Sequence, residues 1–321
     1  MRNFLDCVSP PLGNRLVCVV HVCLNYTGFL TIGVPSIRRI NGPAYLLETL
    51  ASVKEHTTES EKADVSVVVF LAETDAEYNN KSIAAVVRQH RGDIASGFIS
   101  IIQVSSSYYP QLSNLKRNFG DAPDRVQWRA KQVADYSLLF MYAVNISDYY
   151  VQLEDDVHSA IGFVKSIRQY VSEQNRIHSD WAVLEFSELG FIGKLFRSSD
   201  LQRLAEFMMT FYVEQPVDWL FRYFKLAMNQ QRTYLRKPTV FQHFGTKSSF
   251  DLSKDNALKD RLVSWWVCER VGSHRVTLHS KGSNCCPNYR VGAAVKMLPR
   301  LLAKKEIRMR VASASCRSII I

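Results

Sequence analysis

The segment that decides the fold runs Tyr149-Tyr150-Val151-Gln152-Leu153-Glu154-Asp155-Asp156. Its first five residues, mostly apolar, predict a short buried strand, and three carboxylates follow at the end of that strand. Adjacent anions repel, by roughly 4 kcal/mol for a pair ~4 Å apart at an effective dielectric of ~20. The triplet is therefore either a well-solvated polar turn or a site neutralised by a cation. The second alternative predicts a divalent-metal and nucleotide-sugar site at the carboxyl end of an α/β sheet strand, where such folds bind ligands.

Other apolar runs predict further strands, separated by segments with helical periodicity. Pro123 marks the start of a long helix that leads into the acidic strand. Alternation of strands and helices predicts an α/β fold with a mainly parallel central sheet flanked by helices. The remaining predicted strands are 29–34, 65–71, 98–104, 181–186 and 238–244.

Composition limits both the class and the organisation of the chain. Its 321 residues, 47% hydrophobic, suffice for one large domain and exclude general disorder. The net charge of +10 resides in residues 261–321, which contain twelve Lys and Arg but two acidic residues. The balanced remainder is not expected to bind nucleic acid. We divide the chain into an unassigned segment, 1–28, an α/β domain, 29–258, and a basic tail, 259–321, predicted to be disordered.

Cysteines and apolar runs bear on compartment and membrane association. None of the seven cysteines lies between residues 24 and 267, and the absence of a CxxC pair argues against structural zinc. No apolar run approaches the ~20 residues that span a bilayer, so no transmembrane helix is visible. Sequons at Asn25, Asn80 and Asn145 would permit N-glycosylation in a secretory lumen.

The metal site is predicted from the acidic triplet and one histidine. Carboxylate oxygens suit Mg²⁺ or Mn²⁺, and a metal would stabilise a leaving diphosphate. If one carboxylate binds the metal and another binds the ribose, the presence of more than one acid among Glu154, Asp155 and Asp156 is explained. His243 follows a predicted strand and is either a second metal ligand or a half-buried structural histidine.

Three acids compete for the role of general base, which would deprotonate an attacking sugar hydroxyl. Asp218 lies in a first helical turn, where the helix dipole alone would also favour it. Glu185 and Glu188 bracket the end of the predicted strand 181–186. Glu185, if buried, would need a cationic partner, for which Lys194, Arg129 and Lys131 are candidates.

Other charged residues are candidates for donor contacts. A cation is needed where charge develops on a leaving diphosphate, and Arg38, Arg129 and Lys131 are candidates, although most single cations are simply solvated. Glu73 and Asp75 follow the predicted strand 65–71. They are expected either to accept from the uracil or ribose or to cap the next helix.

Seven blocks of sequence, taken together, resemble the N-acetylglucosaminyltransferase IV family, the Golgi enzymes that branch complex N-glycans. The likeness runs from about residue 32 to residue 258, with the blocks in order and at plausible spacing. The blocks are GVPSIRR, FLAETDAEY, FGDAPDRVQWRAKQVADY, YYVQLEDDV, WAVLEFSELGFIGKLF, PVDWL and KPTVFQHFGTKSS.

The resemblance implies a GT-A fold and inverting transfer of β1,4-linked GlcNAc from UDP-GlcNAc to the α1,3-arm mannose of the N-glycan core. It also implies a Mn²⁺ requirement and a place in the Golgi lumen, or secretion as a soluble form. The family's acidic metal motif falls on Glu154, Asp155 and Asp156, with Asp156 as the direct ligand. In the related N-acetylglucosaminyltransferase I the base is an Asp that precedes Trp, and the pair Asp218-Trp219 looks like its counterpart.

Two departures from the family pattern leave an alternative open. Family members begin with a membrane anchor and stem and continue into a lectin-like domain of β type. Here no anchor is visible, and residues 259–321 do not resemble that domain. The alternative is a catalytically silent paralogue that binds and modulates other Golgi N-acetylglucosaminyltransferases.

Overall fold

The computed structural model describes residues 28–39 and 42–250 with their side chains, and the backbone of four short strands outside those ranges. The strands are β1 (Cys18–Val20), β2 (Leu30–Ser36), β3 (Val65–Leu71), β4 (Ile99–Ile102), β5 (Tyr149–Gln152), β6 (Val157–Ser159), β7 (Leu184–Glu185), β8 (Lys194–Arg197), β9 (Tyr234–Leu235), β10 (Phe241–His243), β11 (Trp265–Glu269), β12 (Val276–His279) and β13 (Arg317–Ile319). The α-helices are α1 (Leu46–Glu55), α2 (Ala76–Ala95), α3 (Pro123–Ala143), α4 (Phe163–Ile177), α5 (Leu201–Thr210) and α6 (Val217–Ala227).

A central sheet has the strand order β1-β4-β3-β2-β5-β8-β7-β9. Its middle strands β4, β3, β2 and β5 are parallel, whereas β8 runs antiparallel to β5. Parallel neighbours end at the same edge, so the residues after β2, β3 and β5 meet there. The predicted α/β fold with a mainly parallel sheet flanked by helices is confirmed.

Both faces of the sheet are covered, which explains the uninterrupted apolar run of β3. Alternate residues of that strand enter different cores: Val67 and Val69 join one, Val68 and Phe70 the other. The first core includes residues from α1, α2 and α4, and the second includes residues from α3, α5 and α6. A strand buried on both sides has no polar face, and hence no alternation of polarity.

The predicted strand 181–186 is longer than the observed strand, and the neighbouring strand β8 was not predicted. Only Leu184–Glu185 pairs as a strand, because the backbone N–H groups of Ala182 and Val183 both donate to Oε1 of Gln230, at 2.8 Å each. The missed strand β8 pairs antiparallel with both β5 and β7. Its four residues, Lys-Leu-Phe-Arg, begin and end with charge and so give no strand pattern.

The predicted strand 238–244 is also shorter than expected and lies outside the central sheet. Its three paired residues, β10, run antiparallel to β6, which sequence analysis did not predict. The pairing places His243 opposite Val157, directly after the acidic triplet. A three-residue ladder therefore brings the end of the domain back to the end of β5.

Strands β11, β12 and β13 form a separate antiparallel sheet in the order β12-β11-β13. Apart from these three strands, the residues of the predicted tail (259–321) lie outside the described part of the chain. Residues 1–17 and 21–27 of the N-terminal segment also lie outside it. The predicted disorder of the tail is therefore not tested. Among the helices of the described residues, none combines the length and the apolar character needed to cross a membrane.

Candidate functional site

Two of the three acids after β5 meet the histidine of β10. Ligand atoms of Glu154, Asp156 and His243 all lie within 4.8 Å of one another. Nε2 of His243 is 3.1 Å from Oδ2 of Asp156. Oδ1 of Asp156 and Nδ1 of His243 are buried and have no hydrogen-bond partner in the described structure. Buried polar atoms are normally paired, so these two fit a cluster that coordinates a cation.

The approach of His243 to Asp156 depends on the glycine that follows. The backbone N–H of Phe244 donates to the carbonyl of Asp156 at 2.9 Å, which brings Gly245 against the carboxylate. A β-carbon built on Gly245 would lie 2.1 Å from Oδ2 of Asp156. Any other residue would displace that carboxylate or the chain after His243.

Asp155 is turned to a different set of partners. Its carboxylate accepts from the Ser36 hydroxyl at 2.6 Å and from two nitrogens of Arg39, at 2.7 and 3.1 Å. Arg39 also reaches Oδ2 of Asp156 at 3.0 Å and lies over the ring of Tyr45. Sequence analysis named Arg38 and missed Arg39, and the adjoining arginines of GVPSIRR gave no signal to separate them.

The cluster concentrates negative charge in a buried place. Burial, followed by the charges of Asp156, Asp218 and Asp155, raises the pKa of Glu154 well above its usual value. Burial also raises the pKa of Asp155, although Arg39 opposes the shift. Burial alone would lower the pKa of Arg39, but the two aspartates outweigh it and raise that pKa. The site thus favours the binding of cations.

Asp218, the predicted base, lies close enough to the cluster for its charge to act on Glu154. It occupies the first turn of α6, and its carboxylate is 3.4 Å from the position of a β-carbon built on Gly190. Burial raises its pKa, while Lys194 and Arg222 act to lower it. A partly exposed carboxylate with a raised pKa is suited to accept a proton.

The two competing glutamates have different surroundings. Glu185 is buried between Lys194, at 3.1 Å, and Lys225, at 3.4 Å. The predicted need for a cationic partner is confirmed for Lys194, whereas Arg129 and Lys131 contact other residues. Glu188 is exposed in the segment after β7. The two buried ion pairs give Glu185 a structural role.

An open cleft of about 540 Å³, including its solvent-filled mouth, lies beside the acids. Lys131 is in the wall, where it pairs with Asp135 at 2.8 Å and donates to the Ala72 carbonyl. The lining consists of Pro35, Ser36, Ile37, Arg39, Ala72, Trp128, Lys131, Gln132, Asp135, Tyr136, Glu154, Asp155 and Ser249.

The other predicted donor contacts lie outside this lining. Arg129 is buried and pairs with Asp121 at 3.2 Å. Arg38 is exposed and donates to Asp75 at 3.0 Å. Asp75 caps α2 by accepting from two backbone N–H groups, the alternative considered for it. Glu73 accepts from the backbone of Thr74, at 2.8 Å, in the turn before that helix.

Comparison with known proteins identifies the family. Residues 14–263 match the family described as the MGAT4 conserved region. The chain belongs to this family. The acid cluster, Asp218 and the cleft of this MGAT4 family member all fall within the matched residues.

Curated relatives extend the assignment. The chain is 44% identical over 227 residues to an alpha-1,6-mannosyl-glycoprotein 4-beta-N-acetylglucosaminyltransferase of Gallus gallus, covering 71% of this chain and 48% of the relative. It is 42% identical over 232 residues to alpha-1,3-mannosyl-glycoprotein 4-beta-N-acetylglucosaminyltransferase C of Sus scrofa, covering 72% and 48%. This MGAT4 family chain therefore spans about half the length of these curated relatives.

Solved structures were also compared with this family member. The crystal structure of S. aureus TarS matches with a TM-score of 0.40 and 14% sequence identity, covering 69% of this chain and 38% of that chain.

Proposed function

We propose that the chain contains the catalytic region of an inverting glycosyltransferase. It transfers N-acetylglucosamine from UDP-GlcNAc, in β1,4 linkage, to a mannose of the N-glycan core. The relatives' names support the reaction, since they describe mannosyl-glycoprotein 4-β-N-acetylglucosaminyltransferases. One observation carries the proposal: the cluster of Glu154, Asp156 and His243 lies near Asp218 at the carboxyl edge of the sheet.

The acceptor mannose is proposed to be that of the α1,3-arm. The relatives' names divide on this point, because one specifies an α1,6-mannosyl acceptor and others an α1,3-mannosyl acceptor. The arm is therefore a separate part of the proposal and needs its own measurement.

A divalent ion is proposed at the cluster, with Mn²⁺ preferred and Mg²⁺ as the alternative. Asp156 and His243 are the proposed protein ligands, and Glu154 is near enough to join them. When bound, the ion would stabilise negative charge on the departing diphosphate. The mixture of carboxylate and imidazole ligands suits Mn²⁺ better than Mg²⁺, which prefers oxygen alone.

The chain's own residues supply the rest of the chemistry. Asp218 is proposed to accept the proton of the attacking hydroxyl, leaving the oxygen free to bond to the anomeric carbon. Attack from the face opposite the leaving UDP inverts the configuration there. Arg39 and Lys131, both in the cleft wall, place positive charge near the expected diphosphate.

The proposed compartment is the Golgi lumen, which agrees with the family and with sequons at Asn80 and Asn145. Both asparagines are exposed, Asn80 on α2 and Asn145 after α3. N-glycans on glycoproteins are the proposed acceptors.

A product analysis tests the proposal. The purified chain is incubated with UDP-GlcNAc, Mn²⁺ and a biantennary N-glycan, and the linkage of any added residue is determined by NMR. The expected product carries one new β1,4-linked GlcNAc on the α1,3-arm mannose, and chelation with EDTA abolishes its formation. Addition to the α1,6-arm would correct the acceptor alone. No product from folded protein would overturn the proposal.

Nucleotide binding separates the enzyme from the silent paralogue. Calorimetric titration with UDP is expected to show metal-dependent binding that Asp156→Ala removes. A folded chain that binds no nucleotide at any metal concentration, yet associates with another Golgi N-acetylglucosaminyltransferase, would instead identify a modulator.

A further inference from the structure

Helix α6 has an unusual outer face. Its buried residues, Val217, Leu220, Phe221, Phe224 and Lys225, pack toward the interior. The opposite face carries large apolar side chains beside the exposed Arg222: Trp219, Tyr223 and Leu226 are 51%, 42% and 45% exposed. A surface helix normally presents charged and polar residues to water, so an apolar stripe there indicates a binding surface.

The two aromatic rings of this stripe form a continuous surface. Their centroids are 6.5 Å apart and their planes differ by 29°, so the rings are close to parallel. The guanidinium carbon of Arg222 is 5.5 Å from the centroid of the Trp219 ring. We call Trp219, Tyr223 and Arg222 the aromatic face of α6.

Arg222 connects the aromatic face to the candidate base. Trp219 directly follows Asp218, and both residues are in the first turn of α6. Arg222 lies near both, since its charge acts on the Asp218 carboxylate and its guanidinium lies by the Trp219 ring. A molecule that presents a hydroxyl to Asp218 and extends outward would meet this surface.

We propose that the aromatic face of α6 binds the acceptor saccharide, by stacking a sugar ring next to the reacting mannose on Trp219 and Tyr223. This inference rests on the proposed function, because it assigns the acceptor to the site at Asp218. The C–H groups on one face of a pyranose ring carry slight positive charge, which matches the negative face of an aromatic ring. The guanidinium of Arg222 donates to the sugar hydroxyls at the rim.

The extent of the surface favours a saccharide over a protein partner. Three side chains that are about half exposed offer on the order of 300 Å², given ~150–250 Å² for a fully buried aromatic residue. A stable protein interface needs ~800 Å² from each partner. Two adjacent rings match one or two pyranose units. The single cation at their edge, Arg222, does not call for an acidic partner protein.

Binding of the acceptor without transfer tests the inference. The biantennary glycan is titrated calorimetrically into the full chain with UDP and Mn²⁺ present and no sugar donor. Trp219→Ala is expected to raise the dissociation constant for the glycan about tenfold, which corresponds to ~1.4 kcal/mol. Tyr223→Ala is expected to raise it about threefold. Affinity for UDP stays unchanged in both variants.

Ile177→Ala is the control, because it removes an exposed apolar side chain, 48% accessible, from the last residue of α4, whose buried residues pack in the other core from those of α6. It is expected to change glycan affinity less than twofold. In transfer assays the loss in Trp219→Ala falls mainly on KM for the glycan. A loss confined to kcat would contradict a role in acceptor binding.

The outcomes distinguish this inference from the proposed function. Glycan binding that depends on Trp219 in a chain without transferase activity would overturn the function and retain the inference. Normal transfer with unchanged glycan affinity in Trp219→Ala would overturn the inference alone. Sedimentation provides a second measurement: self-association that Trp219→Ala abolishes, with glycan affinity unchanged, would assign the face to a second copy and overturn the saccharide proposal.

Discussion

The guanidinium of Arg39 donates to both carboxylate oxygens of Asp155, at 2.7 and 3.1 Å, and extends to Asp156 at 3.0 Å. One cation thus holds two of the three acids that follow β5. Both side chains of the Arg39–Asp155 pair are less than 10% exposed, so solvent screens the pair little. Buried pairs of this kind do little for stability when compared with an apolar pair, but breaking one leaves a charge without a partner.

Replacing Arg39 is therefore expected to destabilise the fold. Arg39→Met leaves Asp155 and Asp156 without their cation and should lower the free energy of unfolding by about 3 kcal/mol. Urea denaturation at neutral pH measures the loss. The control is Arg38→Met: the Arg38 side chain is 41% exposed and pairs with the exposed Asp75, so less than ~1 kcal/mol should be lost. Equal losses in the two variants would contradict the assignment.

A methyl group on Gly245 should abolish metal-dependent nucleotide binding. The β-carbon of Gly245→Ala would lie 2.1 Å from Oδ2 and 2.9 Å from the β-carbon of Asp156, so the carboxylate must move. Calorimetric titration with UDP and Mn²⁺ measures the effect. Gly92→Ala, on α2, is the matched control, since a β-carbon built there has no atom within 4 Å. At that position alanine should preserve binding and raise stability by roughly 0.5–1 kcal/mol.

Removing the proposed base should separate catalysis from donor binding. Asp218→Asn is expected to retain the affinity for UDP-GlcNAc and to lower kcat by ~10²-fold or more, because the amide cannot accept the proton. Asp124→Asn is the control, as Asp124 is an exposed carboxylate in the first turn of α3. A helix-dipole role alone would give both variants the same small effect, and turnover would survive in each.

Substitutions of Glu185 and Glu188 should differ in their effect on the free energy of unfolding and should not affect the chemical step. Glu185→Gln leaves Lys194 and Lys225 without their anion and is expected to cost about 3 kcal/mol of unfolding free energy. Glu188→Gln, at an exposed position, should cost less than ~0.5 kcal/mol. Thermal and urea unfolding measure both. If Glu188→Gln instead lost turnover as Asp218→Asn is expected to, the role of base would move to Glu188.

The pH dependence of turnover should follow the carboxyl group of Asp218. Burial raises its pKa, so the proton-bound, inactive form persists to higher pH than for an ordinary aspartate. Turnover is therefore expected to fall as the pH is lowered through this raised pKa. Arg222→Gln removes a charge that lowers the pKa, so the acidic limb of the kcat profile should move to higher pH. The profile is measured at saturating donor and glycan, and an unmoved limb would assign it to another group.

Sequence reasoning named the residues of the candidate cluster, Glu154, Asp156 and His243, because local patterns and chemistry agreed there. The apolar run of β3 predicts a buried strand, and the acids after β5 predict a polar site, each from a few neighbouring residues. It could not choose between Arg38 and Arg39, because neighbouring side chains diverge and only the fold shows which one faces Asp155. Strand β8 was missed for a similar reason: its Lys194 is buried beside Glu185, a pairing that no local polarity pattern contains.

The ladder between β6 and β10 also determines when the site comes into existence. Glu154 and Asp156 leave the ribosome long before His243, and Gly245 follows shortly after it. Domains generally fold as units, so the acids lack the imidazole until β10 has been synthesised. A messenger with a premature stop codon just upstream of β10 would thus encode the middle of the sheet and both acids without the histidine that completes them.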